Sequence, residues 1–90
     1  MSTIEAVAPN GHTGLGPYMS VLDVTPKGRK TAVFDVLDRH DGMLGQVRWY
    51  GAWRQYCFFP NGSPVFNPDC LTRIAAFTAR CTRIQRGQEP

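Results

Sequence analysis

Hydrophobic and polar residues alternate along the middle of the chain with a period of two, which is typical of β-strands. Segments of this kind lie at residues 18–24, 31–38 and 43–59. The third contains both tryptophans and two of the three tyrosines, and a central glycine divides it into a hairpin. Residues 68–86 repeat apolar side chains at helical spacing instead. The pattern predicts an α+β fold, a three- to four-stranded antiparallel sheet with one C-terminal helix packed on one face.

Three turns separate the predicted strands. Residues 25–28, Thr-Pro-Lys-Gly, have the composition of a type I turn. Asp41-Gly42 is typical of a two-residue hairpin loop of type I′, and Gly51-Ala52 of one of type II′. Both hairpin loops are predicted to join neighbouring antiparallel strands directly.

Glycine, proline and polar residues crowd the start of the chain, where no periodic pattern is found. We therefore expect a flexible N-terminal tail at residues 1–17, a single domain at residues 18–86 and a short C-terminal tail at residues 87–90. Within the domain, Val65 and Phe66 are candidates for a short edge strand.

The two hairpin loops predict a register, because directly opposite residues share a face of the sheet. This register sets Asp35 opposite Arg48, and Arg48 opposite Gln55. The face predicted to form the core contains Phe34, Val36, Val47, Trp49, Tyr56 and Phe58. The face predicted to be solvated contains Val33, Asp35, Leu37, Gln46, Arg48, Tyr50, Trp53 and Gln55.

The helix has recognisable ends. Asn67 is a favourable N-cap, Pro68 suits the first helical position, and Asp69 favours the positive end of the helix dipole. Gly87 is expected to end it. The predicted apolar arc contains Leu71, Ile74, Phe77, Thr78, Cys81 and Ile84, and the opposite side contains Arg73, Ala76, Arg80 and Arg83.

Charge is distributed unevenly along the chain. Ten Lys and Arg residues against seven Asp and Glu residues give a net charge of +3. Between residues 43 and 86, however, all basic residues are arginines and Asp69 is the single acidic one. Arginine suits phosphate, carboxylate and aromatic faces, so an acidic partner is compatible with this half of the chain.

The sequence offers little material for catalysis or metal binding. Its three cysteines, Cys57, Cys70 and Cys81, do not have metal-ligand spacing, and neither His40 at a turn nor Cys70 in the first helical turn has a predicted catalytic partner. We expect no enzymatic activity, no catalytic or metal-binding residues and no cofactor or small-molecule substrate. No apolar segment resembles a signal peptide or approaches the roughly 20 residues of a membrane span, which predicts a reduced, cytoplasmic setting.

Arginine and aromatic side chains are interleaved on the predicted solvated face. Such a surface fits base stacking with arginine on phosphate, or a protein-binding hot spot. An alternative is that another element folds over this face and forms a second small core. The candidate binding residues are Arg48, Tyr50, Trp53, Arg54 and Gln55 on the hairpin, with Arg73, Arg80 and Arg83 on the helix, supplemented by Arg86.

The hairpin contains the pattern Trp-Tyr-x-x-Trp-Arg-x-Tyr-x-Phe-x-Pro at residues 49–60, followed by Cys-Leu-x-x-Ile-x-x-Phe at residues 70–77. With the residues between them, these motifs resemble a group of small bacteriophage and prophage proteins. The resemblance implies a phage or mobile-element origin, and therefore the cytoplasm of a host cell. The predicted architecture is also loosely similar to three-stranded DNA-binding modules with a packed C-terminal helix.

Together these features predict a non-enzymatic phage-type binding protein that contacts nucleic acid through its exposed hairpin face. The alternative is a phage-encoded inhibitor or adaptor that binds a host protein complex, such as the defence or transcription machinery. A structural component of a virion is a third class, although the sequence shows no sign of symmetric assembly.

Overall fold

The computed structural model describes residues 12–87, which form a five-stranded antiparallel sheet with one helix across one face. The strands are β1 (His12–Gly14), β2 (Met19–Asp23), β3 (Val33–Asp38), β4 (Met43–Tyr50) and β5 (Gln55–Pro60), followed by the helix α1 (Pro68–Gln85). They lie side by side in chain order. The predicted α+β class is confirmed, but the sheet has more strands than the three or four predicted.

The additional strand, β1, lies in the segment that was predicted to be a flexible tail. Thr13 is opposite Val21 of β2, and Leu15 packs against the core. Residues 12–17 therefore belong to the domain. A strand of three residues is too short to show alternation in the sequence. Residues 1–11 of the predicted N-terminal tail, and 88–90 of the C-terminal one, lie outside the described residues.

At the other edge, the predicted strand at Val65 and Phe66 is not formed. Val65 is 96% exposed, whereas the Phe66 ring packs edge to face against Phe58, with 5.6 Å between ring centroids. The sheet ends at β5, where the Tyr56 N–H donates to the Thr82 hydroxyl at 2.9 Å. Because the helix already occupies part of this edge, a further strand cannot pair along its whole length.

The loop between β3 and β4 contains four residues, 39–42, so the predicted two-residue loop is wrong. The Asp38 carboxylate accepts hydrogen bonds from the N–H groups of His40 and Gly42, each at 2.8 Å. Asp41 adopts the left-handed conformation, with φ of 62°. These side-chain bonds stabilise a longer loop than the Asp-Gly pair alone indicates.

The loop between β4 and β5 is also longer than predicted. Residues 51–54 form it, and the Arg54 N–H donates to the Tyr50 carbonyl at 2.9 Å. Arg54, with φ of 54°, supplies the left-handed residue, and Gly51 has no positive φ. The type II′ interpretation required that conformation at Gly51 and is therefore wrong.

Both registers consequently differ from the prediction by two residues. Asp35 lies opposite Gln46 rather than Arg48, and Arg48 lies opposite Cys57 rather than Gln55. Side chains alternate with a period of two, so an even shift leaves the paired residues on their predicted faces. The shift is interrupted by a bulge after Val36, where Leu37 pairs with Met43.

The core is formed between the sheet and α1, as predicted. Phe34, Val36, Val47 and Tyr56 are buried, and Trp49 and Phe58 pack against them. The Phe34 ring meets Phe77 of the helix edge to face at 5.2 Å. The buried residues of α1 are Cys70, Ile74, Phe77 and Cys81.

Three side chains depart from the predicted burial. Leu71 was placed in the apolar arc but is 54% exposed, because the buried arc of the helix is centred one residue earlier, at Cys70. Val33 and Leu37 were placed on the solvated face but are only 6% and 8% exposed. They lie on β3, the middle strand, where the neighbouring strands on both sides reduce access to solvent.

The helix ends are as predicted. The Asn67 side chain accepts a hydrogen bond from the Cys70 N–H at 2.8 Å, which is the expected N-cap bond. Gly87 follows the last turn with φ of 73°, and its N–H donates to the Ile84 carbonyl at 3.0 Å. The connection between β2 and β3 turns at Pro26 to Arg29, one residue later than predicted. Gly28 has φ of 85° there, which is typical of type II.

Candidate nucleic-acid interface

The sheet face opposite α1, here called the outer face, has a cluster of arginine and aromatic side chains on β4 and β5. Arg48 and Tyr50 are two residues apart on β4 and therefore point to the same side. Phe59 of β5 lies opposite Gln46 of β4 and is therefore a diagonal neighbour of Arg48. The Arg48 guanidinium lies over the Phe59 ring, 3.6 Å from its centroid, as a cation–π pair.

Tyr50 connects this pair to the hairpin loop. Its ring centroid is 5.9 Å from that of Phe59 and 5.0 Å from that of Trp53, and both contacts are edge to face. Trp53 lies in the loop and is 67% exposed, whereas Tyr50 is 37% exposed. The predicted exposure of these two rings is confirmed. Arg48, Tyr50, Trp53 and Phe59 are called the aromatic–arginine cluster below.

The C-terminal end of α1 meets the hairpin loop beside this cluster. A guanidinium nitrogen of Arg86 donates to the backbone carbonyl of Arg54. Thr82, one turn earlier, accepts the Tyr56 N–H at the start of β5. Two arginines are therefore held together at the hairpin end, and Gln55 is exposed next to them.

The helical arginines predicted to bind phosphate do not all lie near the cluster. Arg80 and Arg83 are exposed on α1, which covers the other face of the sheet. Arg73 forms an ion pair with Asp69 at 2.8 Å, and its side chain packs against Gly16. At 1.5 Å per residue, Arg73 lies about 20 Å from Arg86 along the helix.

The structure therefore divides the predicted site. It brings together the hairpin residues Arg48, Tyr50, Trp53, Arg54 and Gln55. It separates Arg73 from them, and it places Arg80 and Arg83 in the helical layer.

Phe59 was not among the predicted site residues, although alternation along β5 from Gln55 assigns it to the outer face. Arg86 was predicted only as a supplement to the helical arginines. Its position beside Arg54 depends on how α1 crosses the sheet, which no local pattern in the sequence indicates.

Beside the aromatic–arginine cluster, the outer face contains an acidic side chain that already has a hydrogen-bond partner. The Gln46 side-chain amide donates to the Asp35 carboxylate at 2.9 Å, across the β3–β4 pair. The predicted pair between Asp35 and Arg48 is not formed, because Arg48 lies opposite Val33. The arginines of the predicted hairpin site thus lie on β4 and in the loop that follows it.

The remaining titratable groups have structural environments. Hydrogen bonds from the Gly42 and His40 N–H groups lower the pKa of Asp38 below its usual value. Burial raises the pKa of Tyr56, and it raises the pKa of the Cys81 thiol to about 12. A thiol with such a pKa stays protonated near neutral pH and is a poor nucleophile.

Residues 12–87 contain no group of three or more His, Cys, Asp or Glu side chains placed to hold a metal ion. In the same part of the chain, no helix combines the length and the hydropathy that a membrane crossing requires.

The fold and its outer face define a small α+β protein with an exposed aromatic and basic hairpin. No family model matches the chain, and no solved structure matches it. The chain is 31% identical over 61 residues to the "Uncharacterized 9.3 kDa protein" of Acholeplasma phage L2. The alignment covers 67% of this chain and 78% of the phage protein. The chain therefore belongs to the same family of small phage proteins, and the predicted resemblance to such proteins is confirmed.

Proposed function

We propose that the protein binds nucleic acid through the aromatic–arginine cluster and the adjoining hairpin end. The observation that supports this most directly is Trp53, which at 67% is the most exposed aromatic side chain of residues 12–87. It is joined edge to face to Tyr50, and Arg48 and Arg54 lie on either side along the chain. Aromatic rings supply stacking surfaces for bases, and arginines supply phosphate contacts.

The charge around the cluster supports the same proposal. Arg48 contacts the Phe59 ring, Arg54 follows Trp53 in the hairpin loop, and Arg86 donates to the Arg54 backbone carbonyl. On the outer face, the Asp35 carboxylate lies on β3, the strand beyond β4, and accepts the Gln46 amide. A polyanion can therefore approach from the β5 side without meeting that carboxylate.

Binding is tested by fluorescence anisotropy with labelled oligonucleotides, titrated at about 50 and about 200 mM salt. With two or three phosphates neutralised, the association constant should fall about tenfold or more between these concentrations. Binding that does not depend on salt, or no binding at the lower concentration, would contradict the proposal.

Arg54→Gln and Arg73→Gln form a matched pair for this assay. Each removes one positive charge, but Arg54 lies at the hairpin end, and Arg73 is paired with Asp69 far from it. We expect Arg54→Gln to weaken binding and to reduce the slope of the salt dependence by about 0.7 to 0.9, and Arg73→Gln to change neither appreciably. Equal effects of the two variants would show that net charge alone, and not this surface, drives binding.

The second candidate function is an inhibitor or adaptor that binds a host protein complex, with the same rings as anchors. Exposed Trp and Tyr beside Arg have the composition of an interface hot spot. The two functions are separated by a pull-down from nuclease-treated host lysate with the wild type and with Trp53→Ala. One defined protein that the wild type retains and the variant loses, combined with no oligonucleotide binding, would favour the host-protein function.

A further inference from the structure

We infer that the strand bound at this site is single-stranded, with unpaired bases stacked on Trp53 and Tyr50. The inference rests on the proposed function and specifies its ligand. Three features of the outer face support it: the accessibility of the ring surfaces, the side chains that are already occupied, and the width of the basic region.

The Trp53 ring has a surface that is accessible to a base. Trp53 is 67% exposed, and its plane is 89° from that of Tyr50, so the two rings meet edge to face and not as a parallel stack. Such a contact covers one face of one ring only, so at least one face of Trp53 is left uncovered by Tyr50. A ring whose face is uncovered can stack on a base only if that base is unpaired or removed from its neighbours in a duplex. Sheet-borne aromatics that stack bases are a general solution to binding single strands.

The polar side chains of the outer face are poorly disposed to read a duplex groove. Groove readout requires extended arginine or amide side chains that form paired hydrogen bonds with base edges. Here the Arg48 guanidinium lies over the Phe59 ring, 3.6 Å from its centroid, and the Gln46 amide donates to Asp35 at 2.9 Å. Both would have to give up these contacts to enter a groove.

The width of the basic region also favours one strand. It covers β4, β5 and their loop, and neighbouring strands are about 4.8 Å apart. Asp35 on β3 limits it on one side. The surface is therefore roughly 10 Å wide, which lets one sugar–phosphate chain follow the two strands without meeting Asp35.

The ligand is tested with a labelled deoxythymidine oligonucleotide of about ten nucleotides and a mixed-sequence duplex of the same length. We expect the single strand to bind at least about tenfold more tightly in anisotropy titrations at low salt. Trp53→Ala should weaken single-strand binding about 5- to 150-fold, whereas Trp53→Phe, which keeps a ring, should lose much less.

A spectroscopic measurement reports stacking directly. In the Trp49→Phe variant, Trp53 is the single remaining tryptophan, and the single strand should quench its fluorescence on binding. Trp49 lies on the core side, edge to face with Tyr56 at 5.5 Å, so Trp53→Phe leaves a tryptophan that should respond little. The anisotropy comparison uses the wild type and does not depend on the folding of Trp49→Phe.

Two results would overturn the inference while the proposed function stands: duplex binding as tight as single-strand binding, or equal loss of affinity for Trp53→Ala and Trp53→Phe. Absence of binding to either oligonucleotide would overturn the proposed function as well. The failure of the ligand assignment is thus distinguishable from the failure of the function.

Discussion

Gly45→Ala is the substitution whose cost the structure specifies best. Gly45 is a buried glycine in β4, opposite Pro60 of β5. A methyl group there would lie 2.4 Å from the Phe59 carbonyl oxygen and 2.6 Å from the Phe58 ring. Ordinary van der Waals contact begins at about 3.4 Å. Accommodating the methyl group therefore requires a shift of the β5 backbone by roughly 1 Å, together with a displaced ring.

The change in the free energy of unfolding of Gly45→Ala is the sum of two opposing effects. Overpacking a close-packed site costs about 1 to 3 kcal/mol, and the upper end applies because a backbone atom is in the way. Alanine also lowers the conformational entropy of the unfolded chain, which offsets up to about 1 kcal/mol of this cost. We expect the free energy of unfolding to fall by about 2 kcal/mol, and the Tm by about 8 to 16 °C for a domain of this size.

The matched control is Gly51→Ala. Gly51 is exposed in the hairpin loop, has no positive φ, and a methyl group built on it meets no atom within 4 Å. This variant should be as stable as the wild type or slightly more stable. Urea denaturation followed by tryptophan fluorescence measures both variants. Equal unfolding midpoints for Gly45→Ala and Gly51→Ala would refute the argument from close packing.

Three further predictions concern single groups. The buried N–H of Ala32 donates to the Tyr56 hydroxyl at 2.9 Å, and Tyr56→Phe removes this acceptor. The free energy of unfolding, measured by urea denaturation, should fall by about 1 to 3 kcal/mol. The pKa of Asp38 is lower in the folded than in the unfolded protein, so the ionised carboxylate stabilises the fold above the unfolded pKa of about 3.8. This stabilisation is lost as pH falls through the lower folded pKa. The Tm values at pH 7 and pH 3 should therefore differ less in Asp38→Ala than in the wild type. In the native protein at pH 8, a thiol reagent should modify half-buried Cys57 well before fully buried Cys81, whose pKa is about 12, and all three thiols should react alike in denaturant.

Strand faces and helix ends could be predicted from local sequence. Alternation with a period of two assigned Phe34 and Val47 to the core and Arg48 and Tyr50 to the outer face, even though the predicted register was displaced by two residues. The Asn67 cap is equally local, because its bond reaches only the third residue along the chain.

Loop length and strand number were not predictable in the same way. The Asp38 carboxylate stabilises one loop, and the hydrogen bond from the Arg54 N–H to the Tyr50 carbonyl closes the other, and both loops are longer than the glycine signals indicate. The short β1 has too few residues to show a pattern, and its Thr13 becomes recognisable as part of a strand only through pairing with Val21.

Sequence by itself thus determined the α+β class, the two faces of the sheet and the ends of the helix, because each depends on neighbours a few positions away. Tertiary structure alone decided that Arg48 lies over Phe59, that Arg86 joins Arg54, and that Arg73 lies far from both. These placements depend on the strand register and on how the helix crosses the sheet. Both are set by packing between residues distant in the chain, which local periodicity does not encode.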